Sequence, residues 1–151
     1  MKHLISYLFF LFTVCVFAEP PMYMRDASGK MKGSATVQGN RTIYRDSTGR
    51  MSGSSTTNGN RTTFHDSSGR MSGSSTTQNN RTIYRDSTGR TAGYADVNGN
   101  RTIYRDASGR TLGTAEVQGN QTVYRDATGR TLGRSQSTSP ATTAPKYFFQ
   151  K

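Results

Sequence analysis

The sequence predicts an all-β protein of tandem 20-residue β-hairpin repeats, closed into a small radial or barrel-like domain. Three observations carry this prediction. A 20-residue repeat runs without insertion or deletion from Met24 to Gly133. Each unit alternates β-branched and aromatic residues with turns rich in Gly, Asn and Asp. After the N-terminal apolar run, no stretch has the period of an amphipathic helix. A unit this short cannot bury an apolar face alone, so the hairpins must stack on, or close against, one another.

The chain begins with basic Met1-Lys2-His3, and Leu4 to Phe17 is an almost unbroken apolar run ending in Val16-Phe17-Ala18. This order of basic, apolar and small residues is that of a secretory signal peptide, cleaved after Ala18. A run of about 14 apolar residues is shorter than the roughly 20 of a membrane-spanning helix. Cys15, the one cysteine of the 151 residues, lies within residues 1–18, so no disulfide is expected in residues 19–151. Those residues lose Lys2 and keep all nine acids, leaving a net charge of +10. A secreted or periplasmic protein of a Gram-negative bacterial envelope fits this pattern. Hydrophobic residues make up 31% of the chain, a low share for a globular protein, which argues against an ordinary enzyme core.

Residues 19–23 lead into the repeat domain, residues 24–133, which has five units and a partial sixth. Arg41 to Arg45 reads as a strand, and Asp46-Ser47-Thr48-Gly49 as a turn in which Asp bonds nearby backbone and Gly takes a positive φ. Arg50 to Thr57 reads as the return strand, with Met51, Gly53, Ser55 and Thr57 on one face. Asn58-Gly59-Asn60 closes the second turn. Met24, Tyr44, Phe64, Tyr84, Tyr104 and Tyr124 form a column that must supply most of the core. The partial unit, Tyr124 to Gly133, is expected to pair with the N-terminal strand near Tyr23 and remove the open edges. The alternative is an open β-solenoid or meander. Residues 134–151 read as a flexible Ser/Thr/Pro-rich tail, and the aromatic end Tyr147-Phe148-Phe149 as a loose terminus rather than a partner anchor.

The unit G-N-R-T-I-Y-R-D-x-x-G-R resembles the YD repeat of the large secreted Rhs and teneurin shells. Tyr44, Asp46, Gly49 and Arg50 match that motif, as do Tyr104, Asp106, Gly109 and Arg110. The resemblance spans Tyr23 to Gly133. It implies β-hairpins wound into a sheet or shell, used for structure, adhesion or encapsulation rather than catalysis.

The expected function is that of a non-enzymatic structural or binding protein of the cell envelope. Its basic positions Arg41, Arg45, Arg50, Arg61, Arg81, Arg85, Arg90, Arg101, Arg105 and Arg110 recur near the aromatics Tyr44, Tyr84 and Tyr104. Guanidinium matches phosphate, sulfate and carboxylate oxygens bidentately, so an envelope or host polyanion is the expected partner. The competing account is that arginine neutralises the Asp column and keeps the surface soluble. A fibre-forming, amyloid-like subunit is the alternative function. A hydrolase using Asp96 and Glu116, which occupy equivalent slots in neighbouring units, is a distant third. His65 stands where other units carry arginine and reads as drift at a basic position. The Asp column is similar to the turns of calcium-binding β-rolls, but one Asp per turn beside a basic residue makes a poor cation site. No cofactor and no metal site are assigned. Asn40, Asn60, Asn80, Asn100 and Asn120 head Asn-x-Thr sequons but read as turn formers. The Thr column beside them is too closely flanked by arginine to suit ice binding.

Overall fold

A computed structural model describes residues 20–136. Residues 1–18, read above as a signal peptide, and the aromatic end of the tail lie outside the described residues. Twelve antiparallel strands are described: β1 (Met22–Asp26), β2 (Met31–Gln38), β3 (Arg41–Asp46), β4 (Met51–Asn58), β5 (Arg61–Asp66), β6 (Met71–Gln78), β7 (Arg81–Asp86), β8 (Thr91–Asn98), β9 (Arg101–Asp106), β10 (Thr111–Gln118), β11 (Gln121–Asp126) and β12 (Thr131–Ser135). Each pairs with its neighbours in sequence, and β12 pairs with β1 to close a barrel. The closing register is Met24 with Ser135, Arg25 with Arg134 and Asp26 with Gly133. The partial sixth unit thus meets the N-terminal strand as expected, and its strand continues to Ser135. The open alternative does not form.

Two kinds of turn occupy opposite rims. At one rim, six hairpins turn through Asp-x-Ser/Thr-Gly-Lys/Arg. In the second of them the Gly49 amide donates to the Asp46 carbonyl at 3.1 Å, and the Asp46 amide to the Arg50 carbonyl at 2.9 Å. Gly49 takes φ +85, the left-handed residue that follows a type I turn in such hairpins. At the other rim, Gly59 takes φ +59 and its equivalent Asn79 takes φ 53, the positive first position of a II′ turn. Met22 and Ser135 lie at this second rim, so the Asp-turn rim is an unbroken ring.

The Asp-turn hairpins also carry a β-bulge. Tyr44 pairs with Gly53, but Arg45 pairs with Met51, so Ser52 is the extra residue. The same slip occurs in the other five, between Met24 and Arg25, Phe64 and His65, Tyr84 and Arg85, Thr111 and Gly113, and Tyr124 and Arg125. This corrects the expected alternation of the return strand. Gly53 and Ser55 face inward, but the bulge moves Met51 to the outer wall, where Met51 is 40% and Met71 45% exposed.

The inner face is made by parity and size. Each large residue of the Met24–Tyr124 column lies opposite glycine on one neighbouring strand, as Tyr84 does Gly93, and opposite alanine or serine on the other, as Tyr84 does Ser75. Small residues between large ones let the rings fill the narrow barrel. Glycine is needed for approach as well: a Cβ on Gly73 would lie 2.5 Å from the Arg85 carbonyl oxygen. Tyr84, Ala95, Tyr104, Ala115 and Tyr124 form the buried cluster, with Leu112 and Leu132 packed against it. Burial of each large side chain contributes about 1.5–3 kcal/mol. The Tyr124 hydroxyl reaches Ser135 Oγ at 3.3 Å, joining the last strands inside the barrel.

Candidate polyanion-binding surface

The Asp column sits inside its own turns. Asp46 Oδ1 accepts bonds from the Thr48 amide at 2.8 Å, the Thr48 hydroxyl at 2.7 Å and the Arg50 amide at 3.1 Å. The same three donors converge on Oδ1 of Asp26, Asp66, Asp86, Asp106 and Asp126. The bond from the Ser or Thr hydroxyl is the main cause holding all six carboxyls below the usual aspartate range, with the backbone amides adding to it. These carboxylates act as turn caps, each with Oδ1 engaged by three donors of its own turn.

The arginines fall into three groups. The first precedes each Asp and braces the turn: Arg45 Nη1 donates to the Gly49 carbonyl at 3.0 Å, and Arg85 and Arg105 do the same to Gly89 and Gly109 at 3.3 and 3.2 Å. His65 occupies this outward slot, paired with Ser54 and Met71. The second group follows the turn glycine and stands at the rim, where Arg50, Arg90 and Arg110 are exposed. Among the described residues, ion pairs return to the turn Asp from Arg110 at 3.2 Å and Arg130 at 3.3 Å. Lys30, Arg70 and Arg130 complete this ring. They were recoverable from the invariantly basic slot of the repeat.

The third group, Arg41, Arg61, Arg81 and Arg101, lies on the wall near the opposite rim. Arg41 Nη2 reaches Ser54 Oγ at 3.4 Å. Arg81 is committed elsewhere: it grips Asp96 through Nε at 2.6 Å and Nη2 at 3.2 Å, and lies 5.6 Å from the centre of the Tyr94 ring. The bond to Arg81 is the main cause holding Asp96 below the usual aspartate range. Tyr94 had no sequence signal, being a single departure from the repeat.

The expected grouping of rings with arginines does not form. Tyr44, Tyr84 and Tyr104 point into the barrel, and Tyr84 and Tyr104 are 3% and 0% exposed, so they cannot share a surface with the arginines. Burial pushes the Tyr84 and Tyr104 phenols well up, away from ionisation. Parity is the reason: Tyr44 is an odd number of residues from both Arg41 and Arg45, and adjacent strand positions face opposite ways. Asp96 and Glu116 stand on β8 and β10 with β9 between them, about 10 Å of sheet. Each is held by arginine, Glu116 by Arg125 at 3.1 Å and Asp96 also by Arg105 at 3.6 Å.

Comparison of the chain with protein-family models and with curated proteins finds no match.

Proposed function

We propose that the protein is a secreted, non-enzymatic binding module of the cell envelope that holds polyanions on its Asp-turn rim and the adjoining wall. The observation that carries this reading is the use of each turn Asp as a cap for backbone amides. The rim and the brace slots together hold eleven Lys and Arg against six Asp. Their excess is repeated at intervals of about 10 Å, two strand spacings, around a closed ring. Contacts with several charges along one polymer follow from that spacing. The resemblance of the unit to YD repeats supports a structural or adhesive setting over a catalytic one.

Closure weighs against the fibre reading, because the paired β1 and β12 leave no edge for strand addition. Strands of five to eight residues are shorter than the roughly nine to eleven of a membrane-spanning strand, which weighs against a lipid-facing barrel.

The test is elution from immobilised heparin in a salt gradient, comparing residues 19–151 with the triple variant Arg50→Gln, Arg70→Gln, Arg90→Gln. The variant should elute earlier, with the dependence of log affinity on log salt reduced by about one for each arginine removed. Co-elution of the two proteins, with equal melting temperatures, would sink the rim as the binding surface.

A further inference from the structure

The inner face of the barrel is not uniform around its circumference. On β8 and β10 the inward slots hold Ala95 with Val97, and Ala115 with Val117. On β4 and β6 the same slots hold Ser55 with Thr57, and Ser75 with Thr77. These two hydroxyl-bearing strands border a cavity of about 210 Å³ lined from Thr42 on β3 to Tyr84 on β7. Nine of its ten lining residues carry a hydroxyl, the tenth is Phe64, and none is charged. Thr57 and Thr77 are exposed beside the second rim, which places the mouth there. Ser55, Ser75 and Tyr84 are buried at 3%, 7% and 3% exposure and form the inner wall.

We propose that this cavity is a binding site for an uncharged polyhydroxy ligand, a single sugar ring or the end of a sugar chain, entering from the rim that carries the chain ends. Three features select that chemistry. Its hydroxyls can each donate once and accept twice and can rotate, which matches a ligand whose own groups are hydroxyls. They already bond one another, Thr57 to Thr62 and Thr77 to Thr82 at 2.9 Å and Tyr44 to Ser55 at 3.0 Å, so they are ordered and keep spare capacity. Tyr44, Phe64 and Tyr84 line the same cavity, so aromatic rings lie within reach of the C–H groups of a sugar. An ion would lose its hydration in a neutral site and gain no countercharge. The volume is below the roughly 300 Å³ of sites for drug-sized ligands, so one ring fits and a longer chain must project from the mouth. Ser55 and Ser75 here forfeit the apolar burial that Ala95 and Ala115 supply on the other side, and the fold does not require that loss.

The fold supplies its own control. The variant Ser55→Ala, Thr57→Val, Ser75→Ala, Thr77→Val copies the slots of β8 and β10 into β4 and β6, so it should close the same barrel. With no tryptophan in the chain, tyrosine emission, to which Tyr44 and Tyr84 of the cavity contribute, serves as the readout. Residues 19–151 would be titrated with methyl α-glucoside, N-acetylglucosamine and glycerol, and the melting temperature of both proteins recorded. A saturable change with either sugar, weakened at least about tenfold in a variant of equal or higher melting temperature, is expected from the loss of two or more hydrogen bonds. The proposal is overturned by no saturable change with either sugar, by a linear response shared with glycerol, or by unchanged affinity in the variant. Because the arginine rim takes no part, heparin retention should be the same in both proteins.

Discussion

Asp86 and Gly73 each perform a narrow task that the repeat multiplies sixfold. The turn carboxylates bind three donors each, and their folded pKa values lie below the unfolded value of about 3.9. A depressed pKa means that the stabilisation is fully present above the unfolded pKa and is lost as pH falls through the folded one. Melting temperature should therefore be level from pH 7 to about 5 and fall steeply below about 4. Circular dichroism melts across that range would check this, and a level profile down to pH 2 would remove the carboxylates from the stability of the turns. Glycines divide by mechanism. Gly89 takes φ +85 with open space where a Cβ would go, so Asn, which tolerates this conformation, should cost at most about 1 kcal/mol. Gly73 has the Arg85 carbonyl in that place, so Gly73→Ala must part β6 from β7 and should cost about 3 kcal/mol. Urea unfolding of the two variants would expose an error if Gly89→Asn were the more damaging.

At the scale of elements, every hairpin at the Asp-turn rim combines a tight turn with a bulge. The bulge carries Met51 outward and turns its own residue, such as Leu112 or Leu132, toward the buried cluster. Closure depends on a shorter contact, since β1 meets β12 over three paired residues. Gln136 adds one backbone bond, its amide donating to the Tyr23 carbonyl at 3.1 Å. Removing residues 131–151 deletes β12 and leaves β1 and β11 with unpaired edges, a template for association. Light scattering after size-exclusion chromatography should find the truncated protein self-associated and the parent unchanged between low and high salt. A truncated monomer with the parent's melting temperature would mean that closure contributes little.

The whole molecule separates its chemistry by rim and by face. One rim is an unbroken ring of capped turns with a basic surplus. The other carries both ends of the barrel-forming chain and the mouth of the hydroxyl-lined cavity. The outer wall holds the arginines with half-buried Ile43, Ile83 and Ile103, and the inner face holds the aromatic column from Tyr44 to Tyr124. The apolar material gathers on one side, around Tyr104, Ala115 and Tyr124, where burial is complete. The opposite side, with Tyr44 and Phe64 only partly buried, retains the open volume. A polymer on the rim and a small neutral ligand within the barrel would thus meet different residues on different strands.

The sequence by itself determined the all-β class, the 20-residue hairpin and the positions of both turns, and it pointed to closure through the partial sixth unit while leaving an open sheet as the alternative. These rest on local signals, the period and the turn residues, which stand in the chain itself. It also held the parity that separates Tyr44 from Arg41 and Arg45, so the mistaken grouping of rings with arginines was legible residue by residue. The exposure of Met51 was not, because a bulge is settled only when two strands pair and a tight turn must be reconciled with their twist. The cavity came last for the same reason. Ser55 and Ser75 read as strand positions until closure sets them on one inner wall, facing rings from β3, β5 and β7.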